Sequence, residues 1–429
     1  MPLVAATRVR FWILGVTTLS AVLLYIDRAF LGWMIASDSF RATFDLSAAD
    51  KAAVKEAFFW AYALGQVPAA YLAERYGKRS LMTLMILSWS AFTVVTGSAS
   101  CLTLLLLSRV GCGLAQAGAY PVASGLIGRW VHPHARGFAS GLVSLGGRIG
   151  FAITPALTAA VIAGTGSWRW SGWLFGAAGL FAAFAFWRIF RDSPDEHPAC
   201  NVAERKLLAP EFAAAKATPR PFPWFAILTN VSLWLMCAVQ FLTNVGWSFV
   251  LNSLADYFRD VHHMSDAWNG GLSTVTLAIS MFGLLAGGVL TDVCTRRFGV
   301  RLGRLIPIVG TRLLAGGLFF GCLLTNELWL LVPLIGLATF ATDSGVPAMW
   351  TYSQDVGGRR IASVLAWANM WGNFGAALQP RIFGWVLKTY DVNHDYAEGF
   401  LLSGAAFVVA GLLAVGINAA RPLERDDRG

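Results

Sequence analysis

The chain has 429 residues, a net charge of +9, 56% hydrophobic but only 13% charged residues, and a mean hydropathy of +0.58. Soluble domains carry roughly 25% charged residues, so this composition excludes an ordinary soluble domain and points to an all-α, polytopic membrane protein. Nucleic acid is not an expected partner, because the basic residues fall mainly in alternate short loops, where membrane topology accounts for them.

The first span is expected over about 11–36. Arg8 and Arg10 precede it and no small-residue cleavage site closes it, which reads as an uncleaved anchor with a cytoplasmic N-terminus. Within it lies Tyr25-Ile26-Asp27-Arg28. A charged side chain near a bilayer centre costs roughly 2.5–3.5 kcal/mol on insertion scales, so this acid and base must face a protein interior or a water-filled cavity. Span two, about 56–73, places Tyr62 and Gln66 on one face and ends in the basic turn Glu74-Arg75-Tyr76-Gly77-Lys78-Arg79. Span three covers about 80–98.

Span four, about 101–128, carries Arg109, Gly113, Gln116 and Tyr120 as one stripe that cannot face lipid. Span five, about 137–163, repeats that spacing with Gly137, Gly141, Ser144 and Arg148; its small residues let another helix approach closely. Span six is about 171–190. From Arg191 to Pro223 the composition turns polar, which reads as a cytoplasmic linker between two halves.

Span seven, about 224–252, aligns Gln240, Asn244, Trp247 and Leu251, with Ser248 and Asn252 beside them. Span eight, about 268–291, ends at Asp292, Arg296 and Arg297 in a turn that echoes the one after span two. Glu74 and Asp292 stand about half a chain apart. The reading is therefore two six-helix pseudo-repeat bundles, 1–190 and 224–420, joined by the linker 191–223 and followed by a cytoplasmic tail, 421–429. The remaining spans are about 304–324, 328–353, 361–387 (with Asn369 and Asn373) and 399–420, twelve in all.

All six histidines fall in loops, and the six cysteines have no paired spacing, so neither a histidine relay, a disulfide set nor a metal site is expected. Nothing suggests an enzyme or a cofactor. The aromatics Trp60, Trp247, Trp350, Trp367 and Trp371 are weaker ligand candidates, since tryptophan is common in membrane helices. Glu74, Arg75, Arg79, Asp292 and Arg296 read either as topology determinants or as a conformational latch. Asp27 could neutralise one arginine, but Arg28, Arg109 and Arg148 together leave positive charge over, for which a bidentate anionic ligand is the natural partner.

The turns after spans two and eight, and Arg109-Val110-Gly111-Cys112-Gly113, resemble signatures of the major facilitator superfamily. The segments Tyr25–Arg28, Phe59–Gln66, Asp192–Pro198 and Asp355–Asn373 resemble its anion:cation symporter family, which includes hexuronate, galactonate, glucarate and phthalate permeases and sialin-type transporters. The resemblance implies two bundles rocking about a central site. Arg28 and Arg109 would hold a carboxylate, Tyr25 and Tyr62 line the pocket, and Asp27 carry the proton, while Gln240, Asn244 and Asn369 bind hydroxyls. Ala70 and Glu74 depart from the family's usual glycine and aspartate, and Gln116 stands where proton-coupled members have a glutamate. Gln116 and Arg148 complete the expected substrate site, which the excess positive charge suits to more than one negative charge. The expected function is symport of a small organic anion with a proton, or with sodium, by a monomer in the cytoplasmic membrane. An organophosphate or anion exchanger, a proton-independent uniporter and a non-transporting nutrient sensor are the alternatives.

Overall fold

The computed structural model describes residues 5–208, 224–252, 254, 257, 258, 261–264, 266–390 and 396–423. Every regular element among them is helical, and the long ones number twelve. They are α1 (Val9–Ala36), α2 (Ala48–Tyr76), α3 (Lys78–Gly97), α4 (Leu102–Gln116 continued by Ala119–Trp130), α5 (Arg136–Thr165), α6 (Arg169–Ile189) and α7 (Val231–Asn252). The run Asp266–Cys322 is two helices, α8 and α9, divided at Gly299, whose φ of 75° and ψ of 176° are non-helical. Then follow α10 (Leu328–Ser344 continued by Val346–Gly357), α11 (Ile361–Tyr390) and α12 (Ala397–Ala414).

Local chemistry explains the boundaries. Ser47 and Asp50 cap each other's backbone N–H groups at the start of α2, a reciprocal arrangement that satisfies donors the first turn leaves open. Gly77 separates α2 from α3 at φ 94°, as Gly299 separates α8 from α9. A residue with a Cβ is strained at such angles, so the same glycine hinge marks the corresponding turn of each half. Nine stretches of the described residues are long and apolar enough to cross a membrane. Two of them, Thr274–Cys322 and Leu328–Val386, contain two helices each, so eleven helices are covered. The exception, α2, begins with the charged Asp50, Lys51, Lys55 and Glu56.

By contact the chain forms two compact units. Unit 1 comprises Met1–Pro133, Leu142–Phe222 and Arg359–Ala366; unit 2 comprises His134–Gly141, Pro223–Gly358 and Trp367–Gly429. In unit 1, α3 packs along α6 and α2 along the first segment of α4. Unit 2 repeats the pairing. There Phe319 of α9 stacks on Phe407 of α12 with centroids 5.5 Å apart, and Thr339 of α10 donates to the Thr276 carbonyl of α8 at 3.2 Å.

Two expected helices are interrupted. The fourth breaks after Gln116 and the tenth at Gly345. At the second break the fully buried Arg312 of α9 donates Nη1 to the Thr342 carbonyl at 2.8 Å and Nη2 to Met349 Sδ at 3.1 Å. It supplies a partner to a carbonyl at a helix end.

The segment read as a linker contains a helix, Val202–Leu208; residues 209–223 lie outside the described set. Glu204 of that helix is fully buried against the start of α1. It accepts from Thr7 Oγ1, from the N–H groups of Val9 and Arg10 at 3.1 Å each, and from Arg10 Nη1 at 3.0 Å. Asn201 and Thr7 add two reciprocal backbone-to-side-chain bonds. Burial alone pushes the Glu204 carboxyl up; the Thr7 hydroxyl, the two N–H groups and the Arg10 charge override it and hold it below the usual range.

Candidate functional site

Successive residues on a helix point about 100° apart, so α1 sends Asp27 and Arg28 into different surroundings within unit 1. The Arg28 guanidinium sits in a cage of three rings, 4.8 Å from Tyr25, 5.1 Å from Phe58 and 4.4 Å from Tyr62. Its Nε donates to Gln116 Oε1 at 3.3 Å, while Nη2 is buried without a hydrogen-bond partner. The Gln116 amide donates in turn to the Leu24 carbonyl at 3.4 Å. Arg109, only 2% exposed, lies 4.7 Å from the same Phe58 ring, with Nε and Nη1 unpartnered. The two guanidiniums thus share one aromatic ring and keep at least three unused donors.

Tyr25 meets Tyr120 edge to face at 6.1 Å, and the backbone of α5 touches both rings at Gly147, immediately before the half-buried Arg148. The structure therefore gathers Tyr25, Arg28, Tyr62, Arg109, Gln116 and the turn bearing Arg148 in unit 1. Asp27 is 1% exposed and forms no ion pair within 4.0 Å among the described residues. It faces α3 and α6 instead of the aromatic cage.

In unit 2, Gln240 and Asn244 of α7 pack against Gly372 of α11. Asn244 Nδ2 donates to the Gln240 carbonyl at 3.1 Å, and Asn373 Nδ2 to the Asn369 carbonyl at 2.7 Å. Trp247, Trp350 and Trp367 are buried, whereas Trp60 is exposed. Trp367 and Trp371 of α11 both pack on Trp234 of α7. The side chains of Leu251 and Asn252 lie outside the described set.

The residues named for the latch separate into two kinds. In unit 1 the Glu74 carboxylate accepts from Ser363 N at 2.9 Å, from Ser363 Oγ at 2.6 Å and from Arg360 Nη1 at 3.4 Å. In unit 2 Asp292 accepts from the N–H groups of Gly137 and Phe138 at 2.8 and 2.9 Å. Each acid thus caps the N-terminus of a long helix, α11 or α5. Arg75 and Arg296 are exposed, and Arg79 stacks on Trp187 at 3.8 Å. The glycines of α5 do admit a close neighbour, because Gly137 and Gly141 lie against Gly288 and Leu284 of α8.

Residues that sequence reading passed over include Phe58, whose apolar ring gave no charge signal. Others are Arg304, paired with Asp355 at 2.7 Å in unit 2, and the buried Arg312 and Asp343. Charge within a span, the rule that found Asp27, also marks Arg312 and Asp343.

The comparisons with known proteins agree with this architecture. The chain is 27% identical to a protein named as a probable sulfoacetate transporter, SauU, of Cupriavidus necator, over 96% of this chain and 94% of that one. It is 26% identical to a probable L-galactonate transporter of Escherichia coli, covering 92% and 86%. Its fold matches the crystal structure of the human organic anion transporter MFSD10 with a TM-score of 0.70 at 16% identity, covering 95% and 100%. The family model described as Major Facilitator Superfamily matches residues 17–380. The chain therefore belongs to the Major Facilitator Superfamily, a family of multi-pass membrane transporters and not of enzymes.

Proposed function

We propose that the protein is a secondary active transporter that carries a small organic anion together with a proton by alternating access. The observation that carries this reading is the pair Arg28 and Arg109, two guanidiniums held inside a membrane helix bundle with buried, unused N–H donors. A desolvated guanidinium without a carboxylate is costly, and an anion that takes its fork geometry relieves that cost. The names of two relatives, transporters of sulfoacetate and L-galactonate, support a small organic acid. Tyr25, Tyr62, Gln116 and Arg148 complete the substrate-binding set of unit 1, and Gln240, Asn244 and Asn369 of unit 2 are the groups suited to the substrate's hydroxyls.

Asp27 is the coupling group. Protonation removes the negative charge that Asp27 exerts on Arg109 through the bundle, the anion binds, and the loaded carrier reorients. The acids Glu74 and Asp292, each capping a long helix, bias that reorientation, while Arg75, Arg79 and Arg296 act as topology determinants. The protein acts as a monomer in the cytoplasmic membrane with both termini inside.

Uptake into proteoliposomes with and without an imposed pH gradient tests the reading, using wild type and Asp27→Asn. Gradient-driven accumulation in the wild type and its loss in the variant are expected; unchanged accumulation in the variant excludes Asp27. Gln116, which cannot carry a proton, favours a second reading: exchange for an internal anion. Acceleration of uptake by a counter-anion loaded inside, without a pH effect, selects it.

A further inference from the structure

The Asp27 carboxylate occupies a notch bounded by α3 and α6. Gly179 of α6 makes the notch. A Cβ there would collide with the Ser90 hydroxyl and stand 3.6 Å from Asp27 Oδ2. On α3, Thr83, Thr93 and Thr96 each return their hydroxyl to the carbonyl four residues earlier. Ser90 does not. It is fully buried, its hydroxyl rests against Gly179, and it has no hydrogen-bond partner. Asp27 Oδ1 is likewise buried and unpartnered. Trp89 and Thr93 of α3 reach the carboxylate, yet Asp27 Oδ1 and the Ser90 hydroxyl stay unpartnered while Asp27 Oδ2 and Ser90 both lie beside Gly179, which calls for an explanation, since buried polar groups are nearly always satisfied.

We propose that Ser90, beside Trp89 and Thr93, is a positioning residue for the coupling carboxylate, a hydroxyl that Asp27 engages in both of its protonation states. This rests on the reading of Asp27 as the proton carrier. A hydroxyl can donate to an ionised carboxylate and accept from a protonated one. Neither oxygen is paired in the structure, so the bond forms by a change of the Ser90 side-chain rotamer, after which rotation of the hydroxyl exchanges the donor and acceptor roles. Asp27 takes its proton from water on the loading side and returns it on the other, while Ser90 keeps its own. The charged or titratable groups facing Asp27 are Arg109 and Cys112 from α4, with Arg28 next to it on α1. The α3 and α6 residues around the notch, Trp89, Thr93 and Gly179 beside Asp27 and Ser90 against Gly179, carry none.

The test is the pH profile of uptake in proteoliposomes for wild type, Ser90→Ala, Ser90→Thr and Asp27→Asn, with detergent melting curves to show that each variant is folded. Loss of a donor to the carboxylate outweighs loss of an acceptor from the acid, because the charge-assisted bond is the stronger one. Ser90→Ala should therefore move the midpoint upward by about one pH unit, and Ser90→Thr should restore it. A Ser90→Ala profile that superimposes on the wild type overturns the proposal. So does a Ser90→Ala transporter that is inactive and is not rescued by threonine. If Asp27→Asn still accumulates substrate with the gradient, the reading of Asp27 itself falls, an outcome separate from either of these.

Discussion

Arg28 Nε donates to Gln116 Oε1 at 3.3 Å. A neutral amide thus occupies the position from which a carboxylate would neutralise the guanidinium. Gln116→Glu should convert this bond into an ion pair that competes with substrate. The expected result is a KM raised roughly tenfold at neutral pH, recovering as the new carboxylate is protonated. A pH dependence of KM identical to wild type would show that position 116 has no part in substrate affinity.

Arg148 follows Gly147, which lies against Tyr25 and Tyr120, and is the third arginine of the proposed site after Arg28 and Arg109. If this charge reaches the substrate, dianionic acids should bind more tightly than monoanionic analogues of similar size, and Arg148→Gln should narrow the difference. Competition of each acid for uptake measures both. Equal affinity of mono- and dianionic acids in the wild type would remove the charge argument.

Glu74 and Asp292 each accept backbone N–H groups at the start of a long helix, whereas Arg75 and Arg296 are exposed. Losing a carboxylate cap costs about 1–2 kcal/mol. Glu74→Gln and Asp292→Asn should therefore lower the melting temperature or shift the balance of conformations, as read by accessibility of an engineered cysteine. Arg75→Gln and Arg296→Gln should leave both measurements close to wild type.

The carboxyl of Glu204 is held below its usual range by the bonds it accepts. A depressed folded-state value means that its contribution is fully present above the unfolded value of about 4.3. The contribution is lost as pH falls through the folded value. Stability of unit 1 should accordingly be flat in this respect at neutral pH and weaken in acid. Glu204→Gln should destabilise by about 1–3 kcal/mol at pH 7 and flatten the acid limb of the melting curve. A variant with the wild-type acid limb would assign that limb to other groups.

The sequence by itself determined the fold class, because twelve apolar stretches of membrane-crossing length leave the backbone no satisfied conformation except helix or closed barrel, and the barrel's alternation is missing. It also singled out Asp27, Arg28 and Arg109, since charge within a span is expensive wherever the helix packs. Only the tertiary structure decided what those residues face. One residue step along the helix directs Arg28 to Phe58, Tyr62 and Gln116 and Asp27 to Trp89, Thr93 and Gly179. The partners come from other helices, and the hydropathy of α3 or α6 carries no record of which side chain stands opposite. The same reason hid Phe58, an apolar residue in an apolar span, and Glu204, a charged residue in a polar segment. Each looked ordinary until packing put a guanidinium or a helix terminus beside it.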